Sequence, residues 1–224
     1  MVLARGGRLA LAAFLWFHAV FIGVTATLVV CYSFTDPPVT VLSLVRKYSS
    51  GWTIRKPRPV GLGDVPRLTR RMLVSVEDSK FWTHPGIDLE AVRRAAEVNR
   101  AAGKTLYGGS TITMQVARTL FLTPDRTWLR KYLEVLVTAE LELFLSKERI
   151  LELYLSWAEW GKGVFGIEAA TRLYYGKSVS ALGMDESARI LAILSSPIRY
   201  TPATMSGSGL LRARYDYLMK KYGG

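Results

Sequence analysis

Glu77-Asp78-Ser79-Lys80-Phe81-Trp82-Thr83-His84-Pro85-Gly86 is the first of four stretches whose order decides how this chain reads. Gly108-Gly109-Ser110-Thr111-Ile112-Thr113-Met114-Gln115 follows, then Arg130-Lys131-Tyr132-Leu133-Glu134. The run from Ile150 to Leu155 is the fourth, and it leads into Gly161-Lys162-Gly163-Val164-Phe165-Gly166. Between and around them the apolar residues recur at helical spacing, with few alternating strand-like runs. Helices are expected over 70–76, 89–102, 110–122, 128–145, 147–157, 166–175, 185–195 and 210–222. Gly103 is placed to end the second and Ser146 to cap the fifth. The fold expected from pattern alone is one mostly α domain.

Ahead of this domain, residues 9–34 carry no formal charge apart from a protonatable His18. About 20 apolar residues suffice to cross a bilayer as a helix, so the run is long enough. Arg5 and Arg8 precede it and Asp36-Pro37-Pro38 ends it. Cationic flanks prefer the cytoplasmic side, which places residues 1–8 inside and the domain outside. The run exceeds the roughly 7–15 residues of a secretory h-region and no Ala-x-Ala site follows, so an uncleaved anchor is expected. Residues 35–69 are rich in Pro, Gly and basic side chains and read as a connector near the bilayer, with the domain proper at 70–224.

The net charge is +12, and eight of the basic residues fall between Arg46 and Arg71 against a single acid, Asp64. Such a balance points to an acidic surface or substrate. No zinc-finger spacing, RNA-reading aromatic signature or basic zipper accompanies it, so no nucleic-acid partner is expected. The one cysteine, Cys31, cannot form an intrachain disulfide, and with two histidines it cannot build a zinc cluster.

Three constellations carry chemistry. Glu77 follows an apolar run and precedes Phe81 and Trp82; a carboxylate among apolar groups has its charged form disfavoured, which suits it to proton transfer. A solvated pair with Asp78 at a helix end is the plainer reading. Gly108-Gly109-Ser110 opening a helix can receive an anion on free N–H groups. Thr111, Gln115 and Arg118 then share one face of that helix. The same residues also fit a buried Gly-Gly turn and an ordinary amphipathic helix. Arg130 and Glu134 stand one turn apart beside Lys131, as a surface ion pair or as cations set against a phosphate.

Together these motifs closely resemble the peptidoglycan glycosyltransferases of glycosyltransferase family 51, especially the single-domain biosynthetic transglycosylases, from about Val45 to the C-terminus. The resemblance implies a lysozyme-like helical fold and polymerisation of lipid II into β-1,4-linked strands with release of undecaprenyl pyrophosphate. It implies that Glu77 deprotonates the acceptor hydroxyl and that Glu134 is the second essential carboxylate. Asp78, Phe81, His84, Ser110, Thr111, Gln115, Arg118, Arg130 and Lys131 become substrate-binding candidates. No cofactor is required, and a divalent cation, Mg²⁺ or Mn²⁺, is left open. Partners on this reading are lipid II, the lipid-linked nascent strand, the bilayer of the inner membrane and other cell wall synthesis proteins. No transpeptidase domain is expected.

Three positions depart from the family pattern. Many members have Gln at Met114, Lys at Arg118 and Asn at Ser156. Arginine keeps the charge and suits bidentate phosphate binding. Glu140, Glu142, Glu148 and Glu152 read mostly as solvated faces or salt-bridge partners, the Gly161–Gly166 turn as structural, and Glu168 stays unclassified. Two rival functions remain: a lysozyme-like hydrolase acting on finished polymer, which would release reducing ends, and a non-enzymatic membrane scaffold, which would bind lipid without consuming it.

Overall fold

The computed structural model describes the backbone of residues 2–103 and 108–223, with side chains from Gly6 onward. The first helix, α1 (Val2–Tyr32), is the expected membrane segment. Its stretch Gly6–Tyr32 has a mean hydropathy of 2.1 and is almost wholly uncovered by the rest of the chain. At about 1.5 Å per residue it outspans a hydrocarbon core of about 30 Å.

After α1 come α2 (Val41–Tyr48), α3 (Arg67–Glu77), α4 (Leu89–Ala102), α5 (Ile112–Phe121) and α6 (Trp128–Phe144). Next are α7 (Lys147–Trp157), the short antiparallel pair β1 (Glu159–Gly161) and β2 (Val164–Phe165), α8 (Ile167–Tyr175), α9 (Met184–Ala192) and α10 (Gly209–Tyr222). The starts follow from local chemistry. Thr40, Asp88, Thr111, Thr127, Ser146 and Ser208 each accept a hydrogen bond from the backbone N–H three residues on, satisfying a donor that the first turn leaves open. Gly103 ends α4 in the left-handed region at φ +64°, where other residues are strained.

Three expectations are corrected here. The helix read from Ser110 begins at Ile112, because Thr111 is spent as its cap. The helix read over 185–195 stops at Ala192 and tightens into a 3₁₀ turn, Ile193–Ser195. The stretch 35–69, expected as a connector, carries α2 with a Thr40–Ser43 capping box. It also sends Val60 and Val65 into the core.

α5 is the central helix, packed on α6 and α7. Ile112, Val116 and Ala117 of α5 meet Leu141 of α6 and Ile150 and Leu153 of α7 in one core with Met72 and Leu73 of α3. Trp160 of β1 is fully buried among them. α1 leans on α6, where His18 Nε2 lies 3.0 Å from the Tyr132 hydroxyl. Its exit is stapled by Arg149 of α7, which donates to the Tyr32 carbonyl (2.8 Å), the Thr35 carbonyl (2.7 Å) and the Asp36 carboxylate (2.9 Å). The anchor is thereby fixed against the domain. Beside it, Trp128, Leu129 and Tyr132 on the first turns of α6 are exposed.

Candidate active site

Glu77 ends α3, and its two carboxylate oxygens are held by different helices. Oε1 pairs with the guanidinium of Arg214 on α10, and Oε2 accepts from Gln115 Nε2 of α5 at 3.1 Å. The Gln115 carbonyl in turn accepts from the Tyr154 hydroxyl of α7 at 3.4 Å. Burial above all, and then the Glu77 charge, holds the Tyr154 phenol far above its usual range, so it stays a donor. The expectation that Glu77 sits among apolar groups needs correction. Met72 and Leu73 face the core, whereas the carboxylate faces a cation and an amide. Arg214, 137 residues away in sequence, has no local signature that would have named it.

The next four candidates are scaffold. Asp78 is buried, with His84 Nε2 at 2.9 Å from Oδ1 and the backbone N–H of Ile112 donating to Oδ2 at 2.9 Å. Gly86 N–H donates to His84 Nδ1 at 3.0 Å. A ring nitrogen that accepts carries no proton, so His84 donates to Asp78 through Nε2. Thr111 Oγ1 donates to the Gly86 carbonyl at 2.5 Å, and Lys147 Nζ donates to the His84 carbonyl at 2.8 Å and lies 4.7 Å from the centre of the buried Phe81 ring. Asp78, Phe81, His84 and Thr111 therefore lock the loop after α3 onto the start of α5, which sets Glu77 against Gln115. All four are buried, and the contacts they make in this structure are with the protein itself.

At the helix entrance two N–H groups are taken, that of Ile112 by the Asp78 carboxylate and that of Met114 by the Thr111 hydroxyl. Gly109 is required for packing: a Cβ there would come within 2.8 Å of the Val92 backbone on α4. Ser110 accepts from Lys131 Nζ at 3.2 Å. Glu134 is buried, with one oxygen on Arg130 and the other on Lys131 at 2.5 Å. It fixes both cations at once.

The cations that remain face a cleft of about 410 Å³. Arg46 of α2, Arg118 of α5, Arg126 of the loop before α6 and Arg130 of α6 line it, together with Gln115 and Tyr154. Arg46 is held by Glu159 (2.9 Å) and lies 4.6 Å from the centre of the Trp52 ring. Burial lifts the Glu159 carboxyl above its ordinary range, with Arg46 and Arg118 opposing. Arg118 and Arg126 have no carboxylate partner among the described residues. Arg126 was not singled out by the sequence, because a lone arginine in a Pro-Asp-Arg-Thr loop carries no pattern.

A carboxylate tied through Gln115 to the wall of a cationic cleft fits group transfer from a phosphate leaving group, and the comparisons with known proteins agree. A family model described as Transglycosylase matches residues 45–222. The chain belongs to the transglycosylase family. It is 41% identical over 206 residues to the biosynthetic peptidoglycan transglycosylase of Pseudomonas entomophila (strain L48), covering 90% of this chain and 85% of that protein. The like-named protein of Herminiimonas arsenicoxydans is 44% identical over 154 residues, 69% of this chain and 66% of the relative. That of Caulobacter vibrioides (strain ATCC 19089 / CIP 103742 / CB 15) is 40% identical over 172 residues, 77% and 74%. The helical architecture is the lysozyme-like fold of this family.

Within the transglycosylase domain the remaining departures find physical reasons. Met114 is buried in the core side of α5 and has no place in the cleft. Ser156 accepts from Val60 N–H at 3.0 Å and donates to Val60 C=O at 3.3 Å, tying the 35–69 stretch to α7. Gly163 is at φ +70°, and a side chain there would collide with the Thr53 carbonyl. Glu168 is buried and clips the loop after α8, accepting from Arg172 Nε (2.6 Å) and Val179 N–H (2.8 Å). Glu142 and Glu152 are structural acceptors as well, from Lys147 and from Leu62 N–H. Glu140 differs: it is buried on α6 facing Thr25 of α1, and neither carboxylate oxygen makes a hydrogen bond of ordinary geometry among the described residues.

Proposed function

We propose that this transglycosylase polymerises lipid II in bacterial cell wall synthesis, with the donor's pyrophosphate in the arginine cleft and Glu77 as the base. The observation that carries the reading is the Glu77–Gln115 bond, which joins the carboxylate to the wall of the cationic cleft. The acceptor's 4-hydroxyl oxygen attacks the donor's anomeric carbon as its proton passes to Glu77. The bond from that carbon to the phosphate oxygen breaks, and the electron pair leaves with undecaprenyl pyrophosphate. Attack opposite the leaving group inverts the anomeric carbon and gives a β-1,4 linkage. Arg118, Arg126 and Arg130 neutralise the charge that develops on the leaving group, with Arg130 held in place by Glu134. Glu134 acts by positioning Arg130 and Lys131, since both of its oxygens are occupied by them. Arg118 and Arg126, which have no carboxylate partner among the described residues, supply positive charge to the cleft.

A hydrolase cutting finished glycan has no use for a cluster of cations around a phosphate-sized cleft, and a passive scaffold has no use for a carboxylate held beside it through Gln115. α1 anchors the domain in the membrane; the proposed orientation has Arg5 and Arg8 in the cytoplasm and the cleft on the outer face. Protease added to sealed spheroplasts would then cut the domain. The function is tested by incubating detergent-solubilised protein with labelled lipid II and resolving the products on a gel. Polymer with wild type and none with Glu77→Gln supports it; no polymer with either overturns it.

A further inference from the structure

A second cavity, of about 340 Å³, opens between α3 and α10, the two helices that meet at the Glu77–Arg214 pair. Arg67, Arg70 and Arg71 of α3 and Lys221 of α10 line it. None of these four cations has a carboxylate partner among the described residues. Nε of Arg70 is buried and makes no hydrogen bond among them. Like charges gathered round one concavity favour an anion there. Arg70 and Glu77 stand two turns apart on one face of α3, as Arg214 and Lys221 do on α10. The helices run antiparallel along this seam. Beyond the Glu77–Arg214 pair, Lys221 Nζ donates to Ser75 Oγ at 3.2 Å, and the Tyr222 hydroxyl donates to the Arg71 carbonyl at 3.1 Å. The cations therefore begin about 10 Å along α3 from the base. Between them the wall is apolar: Leu62, Val74 and Leu151 line it, with half-exposed Trp82 of the loop after Glu77.

We propose that this pocket receives the free carboxylates of the peptide carried by the acceptor, which makes Arg67, Arg70, Arg71 and Lys221 specificity-determining residues. The proposal rests on the polymerase reading above. Lipid II has its reacting hydroxyl on one sugar and its peptide on the other. With the hydroxyl at Glu77, the peptide starts about a disaccharide's length away, which matches the run of about 10 Å from the base to the cations. A peptide also suits both parts of the wall. Its carboxylates, the C-terminal one at the least, pair with guanidinium groups through two parallel hydrogen bonds. Its small apolar side chains cover Leu62, Val74 and Trp82. A bare phosphate, of the substrate or of a phospholipid headgroup, leaves that apolar surface in water.

The test uses the full-length protein in detergent with two lipid II substrates, one with free peptide carboxylates and one with the same carboxylates converted to amides. Arg67→Gln and Arg71→Gln each remove one cation at an exposed position, so the fold is kept. Arg212→Gln removes an exposed cation of α10 that lies outside the pocket. Wild type is expected to use the free-acid substrate at the lower KM. Arg67→Gln and Arg71→Gln should each raise that KM roughly tenfold, the worth of one charge-assisted hydrogen bond. They should leave kcat and the KM for the amide unchanged, and Arg212→Gln should change neither KM. Equal KM values for the two substrates in wild type overturn the proposal, as does an unchanged free-acid KM in both pocket variants. An equal loss on both substrates places a phosphate in the pocket and also overturns it, and the same effect from Arg212→Gln reduces it to net charge. Wild-type protein that consumes neither substrate would instead remove the polymerase reading itself.

Discussion

Replacing Glu77 by Gln separates the two things this carboxylate does. Its side chain and that of its partner Arg214 are 10% and 19% exposed, so the pair is mostly withdrawn from water. Glutamine keeps the size and still accepts a hydrogen bond from the guanidinium, but without charge. A hydrogen bond to a charged partner contributes about 1.5–3 kcal/mol. For a domain of this size about 1 kcal/mol moves Tm by about 2–4 °C, so Glu77→Gln should lower Tm by about 3–12 °C and leave the protein folded. Polymerisation should fall by roughly 10²–10⁴, the usual worth of a general base. The decisive variant is Glu77→Gln with Arg214→Met. Removing both charges leaves neither buried alone, so Tm should recover towards wild type, while activity should not. Thermal melts and lipid II turnover on the wild type, both single variants and the double variant complete the cycle. Near-normal turnover by Glu77→Gln would refute the catalytic assignment, and a double variant no more stable than either single would refute the pairing.

Arg118→Ala and Arg126→Ala should each weaken donor use by about 10–150-fold in KM with little change in Tm, because neither arginine holds up a buried acid; steady-state kinetics and a melt check both. Lys131→Ala, by contrast, strips a partner from the buried Glu134 and should lower Tm visibly as well as activity. Burial raises the Glu140 carboxyl above its ordinary value of 4.5, so the folded state binds more protons than the unfolded one above that value and stability falls as pH rises through the window. Glu140→Gln should therefore raise Tm at pH 7–8, by more than at a pH below 4.5, as a melt series against pH would show. Ser156→Ala should cost about 1–3 kcal/mol by leaving the Val60 backbone unpaired, and Ser156→Asn should not; chemical denaturation distinguishes them.

Much of the fold was legible because its helices carry their own punctuation. Leu89–Ala102 ends at Gly103, and Lys147–Trp157 begins at Ser146 as the sequence indicated. The start of α5 lies two residues later than the pattern indicates, because Thr111 caps the helix and Ile112 is its first residue. α2 was passed over because Pro, Gly and basic residues surround it, although Thr40 and Ser43 form a capping box. The site was legible in its residue types but less so in its division of labour. Burial of Asp78, His84 and Thr111, and the pairing of Glu77 with Arg214, arise only when distant helices meet. No spacing along the chain records that.

The claim that Glu77 and the arginine cleft together move a sugar off a pyrophosphate is tested most directly by stoichiometry. Purified full-length protein is given lipid II, and polyprenyl pyrophosphate release is measured against disaccharide incorporated into polymer. The account predicts one pyrophosphate-linked lipid released for each linkage formed, with both processes lost in Glu77→Gln. Polymer shortening with new reducing ends, or lipid bound without any pyrophosphate released, would contradict it.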